Sequence, residues 1–192
     1  MNDPIQVRFS GSGGQGLITA GIILAEAAML EGRNVVQTQT YGPEARLGSS
    51  KAEVIISSGA IAYPEVTSPD LLLCLSAEAA RKFAPKVRPD TLVILDSTCV
   101  AEEIASPGRV VRLPITETAV NAGNKVAANT VALGVCNELA TIVAHESLSR
   151  AVAARVPRKF SELNQRALEA GEMLARSVAA GSALDPTGSA AC

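Results

Sequence analysis

Apolar residues along this chain follow two rhythms. Short runs, Ile5 to Phe9, Leu71 to Leu75 and Thr91 to Leu95, have strand length, while Leu17 to Leu30 repeats its apolar positions at helical spacing. A further strand is predicted around Arg33 to Thr38. Lys51 to Ser57 begins with strand-like alternation, and Ile61-Ala62-Tyr63-Pro64 suggests a short edge piece ended by proline. Asp70 introduces the Leu71 to Leu75 strand, Ser76 caps a helix reaching about Phe83, and Arg109 to Leu113 is the last strand candidate. Strands separated by helices predict an α/β, Rossmann-like three-layer fold with a mostly parallel, mixed sheet. Lys51 to Ser57 is the best candidate for its antiparallel member.

The last third of the chain is helical in pattern. Asn124 to Val143 is rich in Ala and Val, Ser147 to Ala154 follows, and Phe160, Leu163, Ala167, Leu174 and Val178 recur at helical spacing. Such a stripe serves packing within the domain or binding of a partner. No internal repeat or linker interrupts the pattern, so residues 1–180 read as one domain. The tail, Gly181 to Cys192, is small and polar with a proline and reads as disordered.

Composition narrows the function. Of the 192 residues 47% are hydrophobic but only 3% aromatic, so the core is aliphatic. A net charge of -2 leaves no basic footprint, and no aromatic platform stands among Lys and Arg, which argues against nucleic acid as a partner. No apolar run approaches the roughly 20 residues of a membrane helix. The start, Met1-Asn2-Asp3-Pro4, lacks a basic segment followed by an apolar one, so the reading is cytoplasmic. Cys74, Cys99, Cys136 and Cys192 lie far apart without a C-x-x-C pair, so no local spacing for zinc or an iron–sulfur cluster exists and no metal site is expected. They read as reduced thiols. His145, the single histidine, lies beside Glu146 near a helix end and reads as a surface or capping residue.

The chemistry concentrates in two loops. Phe9-Ser10-Gly11-Ser12-Gly13-Gly14-Gln15-Gly16 joins a strand to a helix, and glycine there permits positive φ and close approach of backbone N–H groups to an anion. The helix N-terminus adds roughly half a positive charge. Gly11, Gly13, Gly14, Gln15 and Gly16 are therefore candidate ligand-binding residues, the alternative being a tight turn whose glycines serve packing. A P-loop would need Gly-Lys-Ser/Thr, but Gly16 is followed by Leu17-Ile18-Thr19. A dinucleotide site would need a carboxylate about 20 residues on, where the chain reads Val35-Val36-Gln37-Thr38-Gln39. The P-loop reading fails, and the dinucleotide reading loses its ribose-binding carboxylate. The second loop, Thr38 to Ser50, contains Tyr41-Gly42-Pro43-Glu44-Ala45-Arg46 and emerges past a strand on the same sheet edge. Tyr41, Glu44 and Arg46 join the candidates, against the alternative of a solvated loop with a surface ion pair.

These residues carry a resemblance. A Gly-x-Gly-Gly-Gln-Gly loop opening an Ala-rich helix, then Tyr-Gly-Pro-Glu-x-Arg, a strand, and Ile-x-Tyr-Pro before an Asp-led strand resembles the gamma subunit of the 2-oxoacid:ferredoxin (acceptor) oxidoreductases. Asn124 to Gly134 and Pro157 to Gly171 resemble that family's later helices, so the likeness covers about residues 5 to 178. One departure is Leu47, in Arg46-Leu47-Gly48, where the family usually has Arg-Gly-Gly.

The resemblance implies a component of a complex that oxidatively decarboxylates a 2-oxoacid to an acyl-CoA and passes electrons to ferredoxin or a similar acceptor. Thiamine diphosphate and the iron–sulfur clusters would reside in partner subunits, alpha and beta, and a delta subunit where one is present. This chain would bind no cofactor tightly, would be inactive alone, and would adjoin coenzyme A as co-substrate. The version Gln-Thr-Tyr-Gly-Pro-Glu-Ala-Arg looks most like the 2-oxoglutarate branch, with pyruvate, branched-chain and indolepyruvate branches as alternatives. A stand-alone nucleotide sensor and a purely structural clamp remain as readings of other classes. Asp96 either faces the crevice or caps a helix, and Asn121, Asn124 and Asn129 either contact a ligand or serve caps and turns.

Overall fold

The computed structural model describes residues 3–41 and 49–183. Among these residues six strands form one sheet in the order β2-β3-β1-β4-β5-β6: β1 Ile5–Ser12, β2 Asn34–Tyr41, β3 Ser49–Ser57, β4 Leu71–Cys74, β5 Leu92–Asp96 and β6 Arg109–Leu113. β3 pairs antiparallel with both β1 and β2, whereas β1, β4, β5 and β6 pair in parallel. Five strands therefore run one way and β3 alone runs against them, as its sequence predicts. β4 and β5 are buried at every position, which explains their unbroken apolar sequences.

Side chains on successive strand residues face opposite sides of the sheet, and here the two sides are separate cores. Leu71, Leu73 and Ile94 enter the larger one with Val7, Phe9, Val54 and the helices α1 (Leu17–Leu30) and α4 (Ala128–Ala140). Leu72, Cys74, Val93 and Leu95 enter the smaller one under α2 (Ala77–Phe83). Ser76 caps α2 as expected, its Oγ accepting the Ala79 N–H at 3.3 Å. α1 lies close on β3: a Cβ at Gly21 would stand 3.1 Å from the Ala52 Cβ.

Three short additions and breaks depart from the sequence pattern. Ile61 to Pro64 forms no strand. Both sides of β1 and β3 are already paired, so the returning chain passes over the sheet instead, where Arg8 donates to the Val66 carbonyl at 2.6 Å and Thr67 N–H to Gln6 Oε1 at 3.1 Å. A short helix, α3 (Ile115–Asn121), follows β6. The predicted helical stretch from Asn124 to Val143 is divided: Lys125–Ala127 is a 3₁₀ turn, α4 ends at Ala140, and Thr141 takes φ 48°. α5 (His145–Arg155) and α6 (Ser161–Ala183) complete the helical third, α6 reaching three residues into the segment read as a disordered tail. Among the described residues no helix is long and apolar enough to cross a membrane.

Candidate functional site

The glycine loop begins while β1 is still paired. Gly11 stands opposite Ser50 and Ser12 opposite Ser49, and Tyr41 at the end of β2 is also opposite Ser50. The two loops singled out in the sequence therefore leave the sheet at one edge. Residues 42–48, which include Glu44 and Arg46, lie outside the described residues, and for Tyr41 only the backbone position is described.

Within the loop the candidates divide by role. Gly14 has φ 88°, and a Cβ there would meet nothing within 4 Å, so its backbone conformation alone requires glycine. Gly16 has φ 71°, and a Cβ there would also stand 2.7 Å from the Asn129 side-chain nitrogen. Gly11 leaves room for Gln15, whose Oε1 would be 2.2 Å from a Cβ at position 11. That glutamine turns inward. Its Oε1 accepts the Ser12 N–H at 2.7 Å and its Nε2 donates to the Leu75 carbonyl at 2.8 Å, tying the end of β1 to the end of β4. Gln15 thus shapes the loop with both ends of its amide engaged, while Gly13 and Gly14 are exposed. Gly16 is the N-cap of α1, which has no side-chain cap and no acid in its first turn, so this helix end keeps its donors and its positive field open.

The loop borders a cleft of about 290 Å³ that the sequence pattern does not reveal. Gly14, Gly16 and Thr19 form one wall, Asn124, Val126, Ala127 and Asn129 the floor, and Val156, Pro157, Phe160 and Leu163 the apolar far wall, with Asn164 beside it. Phe160 is 43% and Val126 82% exposed, large apolar surfaces turned toward water beside the loop. In sequence, exposed Lys125, Arg158 and Lys159 fall between residues that line the cleft, as does Glu162. The result is a largely apolar slot at the open N-terminus of a helix, a setting for an anionic group carried on an uncharged body.

Other residues singled out by sequence take structural places. Asp96 is fully buried; its Oδ1 accepts the N–H groups of Thr98 and Thr116 at 3.1 and 3.3 Å, and its Oδ2 the Thr116 hydroxyl at 2.5 Å. It therefore satisfies the first turn of α3 from another strand, a cap acting across 20 residues of sequence. Asn124 caps the 3₁₀ turn by accepting the Val126 N–H at 3.0 Å. Asn129 instead reaches the glycine loop, donating to the Gly16 carbonyl at 3.3 Å. His145 opens α5, its Nδ1 2.6 Å from Oε1 of the buried Glu172.

Cofactor chemistry finds few footholds in these residues. Burial pushes the Cys74 thiol up to about 12 and raises the Cys136 thiol as well, so both are inert core hydrophobes. Among the described residues no three His, Cys, Asp or Glu gather as metal ligands. A conventional dinucleotide site also requires the strand after the glycine loop helix to lie beside the first, and here β3 separates β2 from β1.

Comparison with known proteins agrees with this geometry. The family model described as pyruvate ferredoxin/flavodoxin oxidoreductase matches residues 6–173. The 2-oxoglutarate synthase subunit KorC of Methanocaldococcus jannaschii is 39% identical over 175 residues, covering 89% of this chain and 94% of that one. The KorC subunit of Archaeoglobus fulgidus is 46% identical over 131 residues, 68% of this chain and 67% of its own. Among solved structures, the gamma subunit of the keto/oxoacid ferredoxin oxidoreductase from Geobacter sulfurreducens PCA superposes with a TM-score of 0.82 at 40% identity, covering 90% of this chain and 99% of that one. A mixed sheet with one reversed strand, an open glycine loop at its edge and a matched span of nearly the whole fold together place the chain: it belongs to the pyruvate ferredoxin/flavodoxin oxidoreductase family.

Proposed function

We propose that this chain is the gamma-type subunit of a 2-oxoglutarate:ferredoxin oxidoreductase and that its glycine-loop cleft takes the anionic part of coenzyme A. In that reaction the carboxyl carbon beside the keto group leaves as CO₂, an electron pair passes to ferredoxin or a similar acceptor, and the remaining acyl group is bonded to the CoA sulfur. The choice of 2-oxoglutarate rests on likeness to the two KorC subunits. Thiamine diphosphate and iron–sulfur clusters are assigned to the alpha and beta partners, with a delta subunit where present.

The observation that carries the CoA reading is the pair of left-handed glycines, Gly14 and Gly16, at the uncapped start of α1. Exposed backbone N–H groups there would bond phosphate oxygens, Lys125, Arg158 and Lys159 would draw the polyanion in, and the wall of Val156, Pro157 and Phe160 would receive its uncharged portion. Arg46, from the second loop singled out in the sequence, would add a charge-assisted contact worth roughly 1.5 to 3 kcal/mol.

The test is acceptor reduction against CoA concentration in purified complexes with normal subunit ratios. Gly14→Val places a β-branched residue where φ is 88°, and it should raise the KM for CoA by about tenfold or more, as loss of a charge-assisted bond would. Arg46→Ala should act in the same direction, while the KM for 2-oxoglutarate stays unchanged. Unchanged CoA dependence in both variants would reduce the loop to a packing device.

A further inference from the structure

Asn129, which lines the cleft, ties the start of α4 to the glycine loop. Its Nδ2 donates to the Gly16 carbonyl at 3.3 Å, and its Oδ1 accepts the Thr130 N–H at 3.0 Å. The Thr130 hydroxyl, on a residue 1% exposed, donates to Asn164 Oδ1 at 2.6 Å, and Asn164 Nδ2 donates to the Phe160 carbonyl at 3.0 Å. Joined through the covalent frame of Thr130, these hydrogen bonds link the glycine loop to the corner at Phe160.

Two features separate this path from ordinary helix capping. The N-cap of α4 is Ala127, which makes no side-chain cap, so Asn129 is not the residue that starts the helix. The Gly16 carbonyl already accepts the Ala20 N–H at 3.0 Å, and the Asn129 amide adds a second bond to it. Because a peptide unit is planar, fixing that carbonyl also fixes the direction of the Leu17 N–H at the open helix end. At the other end, Asn164 holds the Phe160 carbonyl and with it the corner that carries Pro157 and Phe160.

We infer that Asn129 is a positioning residue for CoA: through Gly16 it aims the donors of the anion loop, and through Thr130 and Asn164 it sets how far the apolar wall stands from them. The inference rests on the CoA reading of the cleft. Thr130 itself does not line the cleft, whereas Asn129 and Asn164 do, so loss of the Thr130 hydroxyl reaches the ligand through Asn164.

The experiment compares Asn129→Ala, Thr130→Val and Thr130→Ser, with Gly14→Val as reference, in the assembled complex with its partner subunits. KM for CoA, KM for 2-oxoglutarate and kcat at saturating CoA are measured for each. Asn129→Ala should raise the KM for CoA about tenfold, in line with loss of two hydrogen bonds. Thr130→Val should raise it about threefold and Thr130→Ser, which keeps the hydroxyl, should restore it, while kcat and the other KM stay within about twofold. If Asn129→Ala fails to assemble, the isosteric Thr130 pair decides alone. A raised KM in Gly14→Val with wild-type values in Asn129→Ala and Thr130→Val would overturn the inference and leave the cleft reading standing. Unchanged CoA dependence in Gly14→Val would overturn both, and a fall in kcat with both KM values shifted together would make the path merely structural.

Discussion

A side chain at Gly16 would meet two obstacles, the left-handed φ of 71° and the Asn129 amide 2.7 Å away, whereas one at Gly14 would meet only the first. Gly14→Ala should therefore cost about 1 to 2 kcal/mol, the ordinary penalty of left-handed backbone, and Gly16→Ala visibly more. Urea unfolding of both variants checks the order; equal losses would mean that the Asn129 contact gives way freely. Charge sets a second residue-scale expectation. Arg176 donates to the Glu138 carboxylate at 2.9 and 3.0 Å and holds that carboxyl below its ordinary range. A folded pKa lower than the unfolded one means stability that is present above the ordinary carboxylate pKa and lost as pH falls through the folded value. Glu138→Gln should thus melt lower than the wild type at pH 7, and the gap should close below about pH 4. A gap constant from pH 7 to pH 3 would assign the difference to packing. Some of this scale is visible in sequence: glycines at turn positions announce themselves, and Ser76 reads correctly as a cap. The role of Gln15 does not, because its partners are the backbone groups of Ser12 and Leu75, the second 60 residues away.

Helices α4 and α6 meet at glycines. A Cβ at Gly134 would stand 2.3 Å from the Leu168 carbonyl oxygen, and one at Gly171 2.1 Å from that of Val131. Both obstacles are backbone, so no rotamer change relieves them, and the axes must separate. Gly171→Ala is expected to destabilise by about 1 to 3 kcal/mol or more, despite the better helix propensity of alanine. Chemical denaturation measures it; a stabilised variant would mean that the helices do not approach this closely. Element boundaries follow the same divide between local and distant causes. α1 is legible over its whole length because Leu17 to Leu30 is a Leu- and Ala-rich, helix-favouring run opened by the glycine turn. The break after α4 is not, since Asn137 looks like one more helical residue. In the fold its amide pairs with both backbone groups of Val143, each at 3.0 Å, and turns the chain at Thr141. α3 escapes detection for a related reason: it is short, it lacks a side-chain cap of its own, and its first turn is satisfied by Asp96 from β5.

At the scale of the molecule the sheet direction and its reversed strand are readable, because alternation in Lys51 to Ser57 differs from the continuous apolar runs of the buried parallel strands. The cleft is not, because its walls come together across 113 residues, as the bond from Asn129 to Gly16 shows. The loop flagged for its glycines borders this cleft, while the apolar wall belongs to helices that read as ordinary packing. The central proposal is that this chain completes a CoA-dependent 2-oxoacid:ferredoxin oxidoreductase whose redox groups sit on other chains. Its most direct test is reconstitution: reduction of a ferredoxin-type acceptor is followed with alpha and beta partners, with and without this chain, across a panel of 2-oxoacids. The account predicts CoA-dependent turnover that is fastest with 2-oxoglutarate and is lost when this chain is omitted. Complete turnover by this chain alone, or undiminished CoA-dependent turnover without it, would contradict the account.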